Sequence, residues 1–331
     1  MKSFPIHSSA CVPLALFAIA ACSMDAPPRT TQTASSQGSW SKKSPLPILI
    51  SENAVAAANN KIYVIGGSTA DRVDQQINYE YDVATDRWRE RAPLPRGMTH
   101  AGATGLNGKI YVVGAFTASG HGNAVNSVFE YDPAADSWRT LAPLKSSRGS
   151  VGVTVLNGKI HAVGGRGVDK VTVTTHEVYD PGSGKWTELA PLPKARDHLA
   201  VVAANSRIHA IGGRLDPSPP QNTDFHDIYD PKTNSWLAGA PLPTARSGVA
   251  GALYQDKIFV AGGESFGPER TFPQVESYDP ERDSWSTGSP LPTPRHGLSV
   301  QGVGDALYVI GGGPTAGLSV SPRNEALSPS R

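Results

Sequence analysis

The chain has 331 residues, 39% of them hydrophobic, and its 30 Lys and Arg against 29 Asp and Glu leave a formal net charge of +1. With no surplus of basic residues and no run of like charge, this composition argues against nucleic-acid binding, which wants a basic face. Cysteine occurs only at Cys11 and Cys22, which argues against a disulfide-stapled fold. From the N-terminus, Lys2 is followed by an apolar run, Val12 to Ala21, that is too short to cross a bilayer as a helix and reads as an export signal over residues 1–21. Removing that segment takes away a single charge, Lys2, and leaves the rest balanced. Residues 22–37, rich in Ser, Thr, Gln and Pro, read as a flexible tether.

Ile19-Ala20-Ala21-Cys22 resembles the bacterial lipoprotein box. The resemblance implies that Cys22 is lipidated and becomes the first mature residue; in a Gram-negative species it implies an outer-membrane anchor, facing the periplasm or the cell surface. The alternative is an ordinary signal peptide cut nearby. In both cases the mature chain keeps one cysteine at most, and no internal disulfide forms.

Residues 38–331 are repetitive. The six tryptophans, Trp40, Trp88, Trp138, Trp186, Trp236 and Trp285, are 48 to 50 residues apart. Each is followed at an offset of 26 by a glycine, from Gly66 to Gly311, and in five of six copies by a second; Ala115 is the exception. A proline lies five after every Trp, and Tyr81, Tyr131, Tyr179, Tyr229 and Tyr278 each lie seven before one. Runs such as Lys257 to Gly263 are β-branched and aromatic with a glycine stop and read as strands. Asn107-Gly108 and Asn157-Gly158, between apolar runs, read as hairpin turns. Four strands and about 50 residues per unit are the pattern of a propeller blade.

The double glycine, Tyr-Asp-Pro and spaced Trp resemble Kelch repeats, and the resemblance spans residues 38–331. It implies an all-β, six-bladed Kelch-type β-propeller with four antiparallel strands per blade. The chain opens on an outer strand around Trp40, and Leu327 stands where other repeats have Tyr. The last blade is therefore expected to take three strands from the C-terminus and its outer strand from the N-terminus, which leaves no open seam. Ala54, Gly102, Gly152, Ala200, Ala250 and Ser299, fourteen after each Trp, are the small residues expected where six inner strands converge.

From Trp to glycine the count never changes, and from Tyr to Trp it never changes; all length variation, 15 to 17 residues, falls between glycine and Tyr. Varied loops on a rigid scaffold are where function sits, so the loop face around the channel mouth is the candidate site. Arg148, Arg196, Arg246 and Arg295 recur ten after Trp, where the first two copies have Ile50 and Met98, and Arg166 and Arg214 follow double glycines. A guanidinium fork suits two-point binding of carboxylate or phosphate. The pattern is similar to Kelch-type substrate adaptors of ubiquitin ligases, where arginines at matching positions hold acidic peptides. Two readings of the four in-register arginines stay open, ligand contact or a tie between the crossover and a neighbouring blade or aspartate. His100 and His198, twelve after Trp, are expected to line the funnel as neutral donors.

Gly263-Glu264 followed by Arg270 is similar to the site loop of bacterial sialate mutarotases, exported six-bladed Kelch proteins. That resemblance implies Glu264 as proton shuttle and an arginine, Arg270, on the sugar carboxylate, with no cofactor. The histidines show no local metal-motif spacing, so no metal is assigned. Copper-radical oxidases need a cysteine in the propeller, and none is present there. The first expectation is a membrane-tethered binding module for an anionic partner, an acidic peptide or a carboxylated sugar. The second is a cofactor-free mutarotase of a sugar such as N-acetylneuraminate, and the third is a structural envelope protein.

Overall fold

Alternating small and apolar residues and a two-residue turn make the inner hairpin of each repeat, and the third repeat, which turns at Asn157-Gly158, shows the plan. Gly152–Leu156 pairs with Lys159–Val163, that strand with His176–Asp180, and that with Lys185–Glu188, all antiparallel. Asn157 and Gly158 take φ of 52° and 71° at the turn, conformations that Asn and Gly adopt with little strain. A computed structural model of the chain describes, beyond Met1, residues 38–118, 120–216 and 219–328. The leader over 1–21, the tether over 22–37 and the lipidation site Cys22 fall on 2–37, outside the described residues.

Six such sheets form the propeller. Counting blades from Ala54, the inner strands are Ala54–Ala58, Gly102–Leu106, Gly152–Leu156, Ala200–Ala204, Ala250–Tyr254 and Ser299–Val303. They pack side by side around the axis, each in contact with the next. Crowding there explains the small residues: a Cβ on Gly152 would lie 2.0 Å from Val201 Cγ2 of the next blade. The sixth blade is composite, in the order Ser39–Lys42, Asn324–Ser328, Ala306–Ile310, Ser299–Val303, with Trp40 opposite Leu327. This is the closure read from the sequence.

The tryptophans join the blades. Each indole N–H donates to the carbonyl four residues after the preceding Trp: Trp88 to Ser44, Trp138 to Ala92 and Trp186 to Ala142, each at 2.8 Å. Trp236 to Ala190 at 2.9 Å, Trp285 to Ala240 at 2.8 Å and Trp40 to Ser289 at 3.3 Å complete the set. At four joints the same residue's amide donates to an Asp or Asn of the next blade: Ser44 to Asp86, Ala92 to Asp136, Ala190 to Asn234 and Ala240 to Asp283. Those acceptors also take the hydroxyl of the repeat tyrosine, as Tyr278 to Asp283 at 2.7 Å.

Arg148, Arg196, Arg246 and Arg295 are fully buried inside the blades. Each ion-pairs within its own blade, with Glu177, Asp227, Glu276 and Glu325 respectively. Their Nη2 atoms also donate to strand carbonyls of Ala162, Ala210, Val260 and Val309. The expectation that these four guanidiniums meet a ligand is therefore corrected: each is fully buried and bonded within its blade, and none lines the channel or the loop-side cavity. The repeats vary in concert around this lock. Where the first two blades have Ile50 and Met98, the acid's position carries Tyr79 and Phe129, and each pair packs in an apolar cluster.

Ala115 has a visible consequence. In the other blades the second glycine takes φ between 86° and 122°, a region closed to a residue with a Cβ. Blade two cannot turn there, so after a register shift at Gly114 its strands run on as Lys109–Thr117 and Asn123–Asp132. The resulting long hairpin carries Gly120, His121 and Gly122 at its end.

Arg246→Met is expected to leave Glu276 buried without its partner and to destabilise the ring by about 3–5 kcal/mol. Denaturant unfolding measures the loss, and a change below about 1 kcal/mol would contradict the locking role.

Candidate functional site

Twelve residues after each Trp the backbone turns left-handed. Glu52, His100, Ser150, His198, Gly248 and Gly297 have φ between 50° and 64°. Five of their amides link one blade to the next in a belt: Glu52 to the Gly297 carbonyl, His100 to Glu52, Ser150 to His100, Gly248 to His198 and Gly297 to Gly248, at 2.8–3.1 Å. The belt surrounds a constriction of about 130 Å³. On one side lies the axial channel, lined by the inner strands. On the other side the blade loops enclose a cavity of about 570 Å³.

All six blades contribute to that cavity. Its polar wall includes Glu52, Thr69, Arg72, His100, His121, Arg166, Lys170, His198, Arg214 and Glu264, and Phe266, Leu318 and Val320 give it an apolar side. Four cationic side chains therefore face two carboxylates.

Asp197, buried behind the wall, organises the cations. Its carboxylate accepts from Arg166 Nε at 2.7 Å, lies 3.3 Å from Arg214 Nε and 3.2 Å from His198 Nδ1. Burial alone would raise the Asp197 carboxyl, but His198, Arg214 and Arg166 outweigh it and hold the group far below the usual carboxylate range. Arg166 also meets Asp216 at 3.0 Å, and Arg214 donates to Glu264 Oε1 at 3.0 Å. Glu264 Oε2 accepts the Gly317 amide at 2.8 Å, which ties the sixth-blade loop to the wall. Arg72 and Lys170 sit exposed at the rim, and among the described residues neither is ion-paired.

The histidines meet across blades. His121 Nε2 lies 3.3 Å from His198 Nε2, and the His100 ring is edge-on to His198 with centroids 5.1 Å apart. Phe116, on the long hairpin, packs against both His100 and His121. Burial first, then His121, His198 and Arg214, push the His100 imidazole well below its usual range. Burial, with His198 and Arg214, pulls His121 down to about 3.

Of the residues singled out in the sequence, the structure gathers Arg166, Arg214, His100, His198 and Glu264 in one cavity. It keeps Arg148, Arg196, Arg246 and Arg295 out of it. Arg270, paired with Glu264 in the mutarotase resemblance, is exposed on the hairpin Glu264–Phe266/Glu269–Thr271 and lies over the Phe272 ring at 4.6 Å. It does not line the cavity, so the expected Glu264–Arg270 pairing is corrected: the guanidinium beside Glu264 is that of Arg214. Sequence reasoning missed Arg72, Lys170, His121 and Asp197. The first three stand in the length-variable loops, and that was their signal. Asp197 stands beside His198, with no repeat pattern to mark it.

Residues 30–213 match the KLHDC2/KLHL20/DRC7 Kelch-repeats domain, and residues 245–292 match the Kelch motif. The chain belongs to the Kelch-repeat family. The search of curated proteins finds no match. Among solved structures this Kelch propeller is similar to the structure of YjhT, with a TM-score of 0.74 and 19% identity over 86% of this chain and 96% of that one. At that identity the likeness shows the shared fold.

The folded His121 value of about 3 lies below the about 6.5 of an unfolded chain. Its contribution to stability is therefore complete above about pH 6.5 and is lost as the pH falls through about 3. Histidine-ring NMR is expected to show His121 unmoved between about pH 8 and about pH 5; titration near 6.5 would contradict this burial effect.

Proposed function

We propose that this Kelch propeller is a ligand-binding module whose loop-side cavity takes a small anionic molecule, of the class of carboxylated sugars. One observation carries the reading: Arg72 and Lys170, not ion-paired among the described residues, offer cations at the rim of a cavity whose deeper cations are already fixed by buried carboxylates. Fixed donors need little reordering when a ligand arrives, which favours binding. The enclosed volume and the apolar side of Phe266, Leu318 and Val320 suit a compact ligand better than an extended peptide.

The expected outcome is that N-acetylneuraminate or a comparable sugar acid binds with an affinity that weakens with salt. Arg72→Ala with Lys170→Ala should weaken it by about tenfold or more. Calorimetry measures both, and equal affinity in the double variant would sink the proposal. A second reading, a cofactor-free mutarotase of the same sugar class, rests on Glu264 lining the cavity within hydrogen-bond reach of Arg214. In the same experiment, proton NMR of the freshly dissolved sugar would show faster anomer equilibration with protein than without, and slower again with Glu264→Gln. Equal rates would remove this reading.

We further infer that the module is exported and tethered through a lipid on Cys22, on the strength of Ile19-Ala20-Ala21-Cys22. Cys22→Ser should move the protein from the membrane fraction to the soluble fraction; unchanged partitioning would refute the anchor.

A further inference from the structure

The three cavity histidines share a geometry that anion binding does not require. One ring nitrogen from each of His100, His121 and His198 lies within 4.8 Å of the other two. The His121 Nε2 to His198 Nε2 separation, 3.3 Å, is the edge of a tetrahedron whose centre is about 2.0–2.1 Å from each nitrogen. The outer nitrogens each face a second polar group, a hydrogen bond at His100 and a charge contact at His198. His198 Nδ1 faces the buried Asp197 carboxylate at 3.2 Å, and His100 Nδ1 faces the Thr99 hydroxyl at 3.1 Å. A second group holding Nδ1 is the arrangement that fixes an imidazole as a metal ligand through Nε2. A carboxylate is also at hand, since Glu52 Oε2 lies 3.3 Å from His100 Nε2.

We propose that His100, His121 and His198 form a binding site for a first-row divalent metal ion of the zinc type, at the floor of the loop-side cavity. Imidazole nitrogens suit zinc and its neighbours in the series, and three protein ligands leave a coordination position open toward the cavity. The ligands come from the belt of blades two and four and from the long hairpin that Ala115 extends. Occupancy replaces contacts the rings now make: the proton between His121 Nε2 and His198 Nε2 must leave, and the Glu52 carboxylate must give up His100 Nε2. Arg214 Nη2 lies 3.0 Å from His198 Nε2, and a guanidinium only donates, so the metal must displace that contact. Arg214 keeps Asp197 and Glu264 as partners when it does so. The widest nitrogen pair must close by at most about 1.5 Å, within the reach of side-chain rotation at the hairpin tip.

The test uses the tag-free full chain, stripped with a chelator and kept in a buffer without carboxylates. Titration with Co²⁺ is expected to give one equivalent bound with the visible absorption of a tetrahedral site, displaced by Zn²⁺. Zn²⁺ should also raise the melting temperature as its concentration rises. His121→Ala, at a hairpin tip where the fold is not at stake, should weaken Zn²⁺ binding at least tenfold, whereas His209→Phe, a buried histidine outside the cavity, should leave it unchanged. Absence of a stoichiometric Co²⁺ site in the wild type, or unchanged Zn²⁺ affinity in His121→Ala, would overturn the proposal. The anion titration is run on protein stripped of metal, with the chelator removed by dialysis, so the two ideas fail separately.

Discussion

The indole N–H of each repeat tryptophan reaches into the blade before it and takes a carbonyl there, and the ring depends on that bond. A single neutral hydrogen bond contributes only about 0.5–1.5 kcal/mol. Its value here is geometric, because it fixes the angle at which one sheet follows another. Six equal joints return the chain to its start, and Trp40 to Ser289 makes the last of them. Four joints add an amide-to-side-chain bond at the same residue. In the third and sixth blades Gly184 and Gly38 stand where the other four have Asp or Asn, so those two joints keep the Trp186 and Trp40 bonds without that second one.

Equal joints bring the inner strands to a common axis, and the belt of left-handed residues is the result. Its positions are identical in backbone but not in side chain: Glu, His, Ser, His, Gly, Gly. Blades that must be alike for the ring to close thus present an asymmetric set of groups at the pore. Asp197 adds a buried negative charge behind this floor and draws Arg166, Arg214 and His198 toward one point. The cavity's chemistry is therefore concentrated against blades three and four, while blades five and six contribute Glu264 and an apolar side.

Blade number, strand count, the composite sixth blade and the small residues at the axis were all legible, because each rests on a spacing repeated six times. The loop face was legible from the one interval that varies in length. The role of the in-register arginines was also written in the chain, in a form that needed two positions read together. Glu177, Asp227, Glu276 and Glu325 accompany the four arginines, and Tyr79 and Phe129 accompany Ile50 and Met98. Such paired change marks a contact inside the repeat. What spacing could not supply was the meeting of His100, His121 and His198, or of Arg166 with Asp197. Those contacts cross between blades near the axis, where separation along the chain has no fixed relation to distance until the ring is closed.

The composite blade also sets an order of events. Ser39–Lys42, the first of the described strands, pairs with Asn324–Ser328, the last of them, across 285 residues at Ser41 and Ala326. Five blades can form from continuous stretches as the chain lengthens, but the sixth must wait for both ends, and contacts so remote in sequence form slowly. Until then the growing arc has two raw edges. Each raw edge offers unpaired backbone groups to other chains, so the window before the composite blade closes is when this protein is most exposed to aggregation.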